Sequence, residues 1–130
     1  MEFVLKMGFR QFLHAVESAF RSEGCFTGIK DNALLIKCRF EEGEAVMVLE
    51  RDVEGYLRFS LLTDYSAEEI EGSVLEHNFA LYGIKVMKDS EGFLALAVEL
   101  PEECALSLGP KHFVKEAHRM IKALKAFLTR

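Results

Sequence analysis

Four histidines, His14, His77, His112 and His118, are the first groups to weigh for chemistry. A neutral imidazole is both a base near pH 7 and a ligand for first-row metals. A helical metal pair needs its ligands three or four residues apart, whereas His112 and His118 lie on different sides of one helix. His14 and His77 fall on the polar sides of their own helices, so both read as solvated surface histidines. The acid pairs Glu41/Glu42, Glu68/Glu71 and Glu102/Glu103 sit in turns or first helical turns, where carboxylates favour solvation or the positive end of the helix. General acid-base catalysis needs a carboxylate moved by burial or by a close like charge. No Gly-x-Ser-x-Gly elbow, His-Glu-x-x-His, glycine-rich phosphate loop or dinucleotide fingerprint occurs in the chain. The pattern points away from an enzyme, and no metal or catalytic cofactor is expected.

Cys25, Cys38 and Cys104 are odd in number and widely spaced, without a Cys-x-x-Cys pair. That argues against a disulfide framework or zinc knuckle and for reduced, mostly buried thiols. The last stretch concentrates the bases Lys111, Lys115, Arg119, Lys122, Lys125 and Arg130 against the single acid Glu116, although the chain as a whole carries a net charge of -5. A Lys/Arg row on one helix face can track phosphates. Stacking aromatics are missing from that face, and the acidic remainder repels a long polyanion. Solvation of the strip is the plainer reading, attraction to an acidic protein surface comes next, and nucleic acid comes last.

These groups are positioned by a legible series of elements. From Phe3 to Glu23, Leu5, Phe9, Phe12, Leu13, Val16, Ala19 and Phe20 share a stripe at 3.6-residue spacing, which predicts an amphipathic helix closed by Gly24. Cys25 to Lys30 reads as a short strand, followed by an Asp31-Asn32 turn. Leu34, Ile36, Cys38 and Phe40 alternate with Leu35, Lys37 and Arg39, the period of a strand with one face on the core. Turns at Glu41-Glu42-Gly43 and Asp52 to Gly55 lead into Ala45 to Leu49 and Tyr56 to Leu62, an antiparallel meander. Ser66-Ala67-Glu68-Glu69 is a capping box that predicts a second helix, ending near Tyr82 with Gly83 as its left-handed cap. Ile84 to Lys88 and Phe93 to Leu100 form a hairpin that stops at Pro101, and a loop through Cys104 leads to Gly109-Pro110 and a third helix reaching about Leu128. The expected plan is helix, three-stranded antiparallel meander, helix, β-hairpin and helix, with the helices packed on one antiparallel sheet. This is an α+β fold in a single domain, 1–130.

Length and composition agree. The chain has 130 residues, half of them apolar and 28% charged, with two prolines and nine glycines. At that size a core forms without staples. No apolar run approaches the ~20 residues that span a bilayer, and the start lacks a signal-peptide pattern. A soluble, cytoplasmic protein is expected.

Two features ask for extra burial. Ala45 to Leu49 and Phe93 to Val98 are apolar at successive positions, so both faces of those strands should be covered. The middle helix carries Ile70, Val74 and Leu81 beside Leu75, Phe79 and Tyr82, an arc wider than a surface helix needs. A partner subunit, or a wedge between sheet and neighbouring helix, would satisfy it. Parity in the meander also places Leu35, Tyr56 and Leu62 opposite the helix-facing residues, among Lys37, Arg39, Arg58 and Ser60. That mixed apolar and basic face is the candidate client-binding surface for an extended acidic-apolar peptide, with a dimer contact or scattered surface apolars as the competing reading.

The element order resembles the type III secretion chaperone fold and its bacterial relatives of the YbjN type. The local likeness runs through Leu75-Glu76-His77-Asn78-Phe79-Ala80-Leu81-Tyr82-Gly83-Ile84, the hairpin tip from Asp89 to Gly92, and Phe93-Leu94-Ala95-Leu96. The resemblance implies a non-catalytic homodimer that holds an unfolded segment of a client protein along apolar patches. It assigns the dimer contact to Leu75, Phe79 and Tyr82. The alternative within the same family is a YbjN-type regulatory or stress-associated interaction domain. The basic last helix departs from the acidic character usual in such chaperones.

Overall fold

The computed structural model describes residues 8–41, 43–52, 55–66 and 83–128. The stripe at the start forms α1 (Phe9–Arg21), which buries Phe9, Phe12, Leu13, Val16 and Phe20 and ends ahead of Gly24 at φ 85°. Six strands follow: β1 (Phe26–Lys30), β2 (Ala33–Phe40), β3 (Gly43–Arg51), β4 (Tyr56–Ser66), β5 (Lys85–Lys88) and β6 (Phe93–Pro101). The chain then forms α2 (Glu102–Leu108) and α3 (Lys111–Leu128). The fold is α+β, with three helices among the described residues and one six-stranded antiparallel sheet in the order β1-β2-β3-β4-β6-β5. None of the described helices is long and apolar enough to cross a membrane.

Local chemistry accounts for the turns. Asp31 and Asn32 adopt φ 52° and 63°, a two-residue loop with both centres left-handed, whose twist suits the paired strands on either side. At the β5–β6 tip, the Asp89 carboxylate accepts from the amides of Glu91 and Phe93 at 2.8 and 2.9 Å, and Gly92 takes φ 90°.

The core lies between the three helices and one face of the sheet, called inner here. Leu34 and Ile36 of β2, Met47 and Leu49 of β3, Leu57 and Phe59 of β4, and Leu94 and Leu96 of β6 are all buried in it. A chain of aromatic rings joins its layers. Phe12 meets Phe113 edge-on at 5.9 Å, Phe113 meets Phe59 at 5.4 Å, and Phe59 meets Phe20 at 6.0 Å. Such contacts add about 0.5–1.5 kcal/mol each beyond the area they bury. At the rim, Arg51 lies 4.2 Å above the Phe9 ring and binds Glu102 at 2.7 Å, tying the end of β3 to the starts of α1 and α2.

Four expectations change. The short strand before Asp31 is a full member of the sheet, pairing β2 from Phe26↔Lys37 to Lys30↔Ala33. The segment after Pro101 is a helical turn and not a loop, with Glu102 and Glu103 at its positive end and Ala105 buried. Cys25 and Cys38 are not reduced thiols but a disulfide, and Cys104 is exposed. The cause lies in the register, since the Asp31-Asn32 turn brings residues equidistant from it face to face. Finally, β4 extends past Leu62 to Ser66. The middle helix, with Leu75, Phe79 and Tyr82, lies outside the described residues.

Candidate functional site

Strand pairing sorts the side chains on the outer sheet face into rows. One row, from β1 to β5, is Gly28, Leu35, Val48, Ser60, Ala97 and Lys85, and the next is Phe26, Lys37, Val46, Leu62, Ala95 and Met87. The three described helices contribute to the core on the inner face. Over β4 and β6 the outer face is buried at Ser60, Ala95 and Ala97, whereas over β1 to β3 it is open. Leu35 is 46% exposed, Val46 43% and Phe26 80%.

The parity argument places Leu35, Tyr56 and Leu62 correctly on this face, but only two of them adjoin. Leu35 and Leu62 occupy neighbouring rows, bridged by Val46 and Val48. Tyr56 stands at the far end of β4, opposite Pro101, with Arg58 between it and the patch. Val46 and Phe26 are part of the patch and were not singled out in the sequence. The run Ala45 to Leu49 reads as buried on both faces, and only the register shows that Val46 looks away from the helices. Phe26 carried no signal beyond its place on an edge strand.

The third row of the outer face is ionic. Arg58 Nε donates to Glu99 Oε2 at 3.0 Å, Lys85 Nζ donates to Glu99 Oε1, and Asp52 lies 3.9 Å from Arg58. The Lys85 hydrogen bond, with Arg58 behind it, holds the Glu99 carboxyl below its ordinary range despite partial burial. Arg58 in turn is raised, chiefly by its bond to Glu99. Both groups stay charged at neutral pH, so this row is a fixed polar border to the apolar patch.

A cleft of 620 Å³ opens beside the patch. Its walls are the first residues of β3 and the last of β4, and its floor comes from Ile121, Leu124 and Leu128 of α3. Lys37 belongs both to this cleft and to a second depression of 390 Å³ that it shares with Phe26, Arg39 and Cys38. Lys37 pairs with Glu44 at 3.1 Å.

On α3, Lys111, Lys115, Arg119, Lys122 and Lys125 are all exposed. Arg119 is drawn to Glu116 at 2.7 Å, and Lys125 lines the cleft, so the strip is not a uniform row of solvated cations. His14 and His112 pair with carboxylates on their own helices, Glu17 and Glu116, His112 also meets Phe113 edge-on at 5.7 Å, and His118 lies tilted against Phe40 at 4.4 Å. Glu17, which the helical wheel sets on the polar side, is buried because β1 covers it. Thr27 Oγ1 donates to its carboxylate at 2.8 Å. Among the described residues no three His, Cys, Asp or Glu side chains gather as a metal site. Family models, curated proteins and solved structures yield no match to this chain.

Proposed function

We propose that this chain is a non-catalytic protein-binding domain, chaperone-like, that holds an extended segment of a client protein. The observation that carries the reading is the open part of the outer sheet face, where Leu35, Val46 and Phe26 are exposed among Lys37 and Arg39. Exposed apolar side chains interspersed with cations suit a ligand that alternates apolar side chains, and β1, the edge strand of the described sheet, lets a peptide add main-chain hydrogen bonds. The reading includes a symmetric homodimer whose contact is assigned to Leu75, Phe79 and Tyr82. It keeps the chaperone-like arrangement as the source of that assignment and the cytoplasm as the place of action. The Cys25–Cys38 bond bears on that location, since disulfides are rare in a reducing cytosol.

Affinity capture from native lysate with the wild type and with Leu35→Ser/Leu62→Ser tests it. A specific protein retained by the wild type and lost by the variant, with thermal stability kept, supports the reading. Equal retention by both, or no saturable partner for either, refutes it.

A further inference from the structure

The cleft has a cause in the sheet. The β3–β4 ladder runs from Arg51↔Leu57 to Val46↔Leu62 and stops, although β3 goes on pairing with β2 as far as Gly43 and β4 continues to Ser66. Continuing the register would set Glu44 directly opposite Asp64 on the outer face. Like charges so placed destabilise a ladder. Glu44 turns to Lys37 instead, and the two strands fork. Beyond the fork, β4 also leaves register with β6 between Leu62 and Ser66, where Thr63 Oγ1 donates to the Leu94 carbonyl at 2.6 Å and accepts from the Tyr65 amide at 3.2 Å. A bulge beside an open cleft is a common way to end pairing and re-aim side chains at a site.

We propose that the fork between β3 and β4 is a slot for one extended peptide strand that alternates apolar and basic residues. This inference rests on the protein-binding reading and specifies its ligand. Gly43 to Ala45 of β3 and Thr63 and Asp64 of β4 line the slot with no ladder between them. A strand entering there points alternate side chains to opposite faces. Those turned inward meet the apolar floor of Leu124 and Leu128, with Lys125 beside them to reject a cation. Those turned outward come beside Glu44 and Asp64, where a lysine or arginine pairs with a carboxylate. The cleft is lined by Lys37 and Lys125 as well as by Glu44 and Asp64, and the outward side chains of the ligand are selected by the two carboxylates, opposite to the acidic ligand suggested by Lys37 and Arg39 alone.

The test is fluorescence anisotropy with labelled peptides of alternating valine and lysine, or of valine and glutamate. The lysine peptide binds saturably and the glutamate peptide at least about tenfold more weakly. Asp64→Lys pairs with Glu44, lets the ladder close, abolishes binding and raises the melting temperature. Asp64→Asn, which relieves repulsion without supplying a cation, weakens the lysine peptide about three- to tenfold. Equal binding of both peptides, or full binding by Asp64→Lys, overturns the proposal. So does a dimer that Asp64→Lys converts to a monomer, since a second copy would then fill the slot. Client capture that is lost in Leu35→Ser but kept in Asp64→Lys overturns the slot alone and leaves the protein-binding reading standing.

Discussion

Cys25 and Cys38 face each other across the arms of the first hairpin and are joined by a disulfide, their Cα atoms 4.4 Å apart. That spacing is the one found between directly opposed residues of an antiparallel pair that exchange no ladder hydrogen bonds. The Cys25 amide also donates to the Phe20 carbonyl at 3.2 Å. The bond therefore ties the end of α1 to the second strand from the sheet edge, next to the open patch formed by Phe26 and Lys37.

Removing this link should cost stability. The cysteines are 13 residues apart, and closing a loop of that size in the unfolded chain is worth about 2–3 kcal/mol. Cys25→Ala/Cys38→Ala should lower the urea midpoint accordingly, and a reducing agent should bring the wild type close to the variant while leaving the variant unchanged. Equal midpoints for the oxidised wild type and the variant would refute the link.

Glu99 should shape the acid limb of stability. Its carboxyl is held low in the folded protein by Lys85 and then Arg58, so it contributes stability that is fully present above the unfolded carboxylate pKa. That contribution is lost as pH falls through the folded value. Glu99→Gln should therefore be less stable than the wild type near pH 7 and converge with it in acid. A constant difference between the two at all pH values would show that Glu99 acts by packing and not by charge. The partners are partly exposed, so the effect at pH 7 should stay near or below about 1 kcal/mol and shrink with salt.

The inner and outer faces should answer differently to truncation. Phe113 is 1% exposed and touches both Phe12 and Phe59 edge-on, so Phe113→Ala should cost about 3–5 kcal/mol. Leu35→Ser, on a side chain already half in water, should stay within about 1 kcal/mol. Chemical denaturation separates the two. A large loss in Leu35→Ser would mean that the outer patch is structural, and the client assignment would fail with it.

How far the sequence led depended on whether a feature was local. Leu34, Ile36 and Cys38 alternate cleanly, as do Leu57, Phe59 and Leu61, so strand faces could be read directly, and with them the outer positions of Leu35 and Leu62. The α1 stripe and the α3 face were equally plain, because many apolar residues repeat at one period. α2 was hidden since its short span buries Ala105 alone, too little for a periodic signal. The disulfide and the fork were hidden for another reason. Each depends on two residues, Cys25 opposite Cys38 and Glu44 across the fork from Asp64, whose relation appears only once register is known. The disulfide was within reach, because the Asp31-Asn32 turn fixes that register by itself. The fork was not, since it needs the β3–β4 pairing and a decision about where pairing ends.

The dimer assignment can be decided by mass. The resemblance assigns the contact to Leu75, Phe79 and Tyr82, and in the sequence these lie beside Ile70, Val74 and Leu81 in an apolar arc wider than a surface helix needs. Closed two-fold pairs are the commonest soluble oligomers, and their contacts use the same patch on both subunits. Light scattering after gel filtration should therefore give twice the chain mass of 14.8 kDa at micromolar concentration. Leu75→Asp/Phe79→Asp places two charges on each side of such a contact, four in all, and should return the protein to the single-chain mass with its circular dichroism intact. Leu35→Ser should leave the dimer unchanged, because the outer patch is assigned to a client. A wild type at the single-chain mass refutes the dimer, and a dimer dissolved by Leu35→Ser instead would move the subunit contact to the outer sheet face.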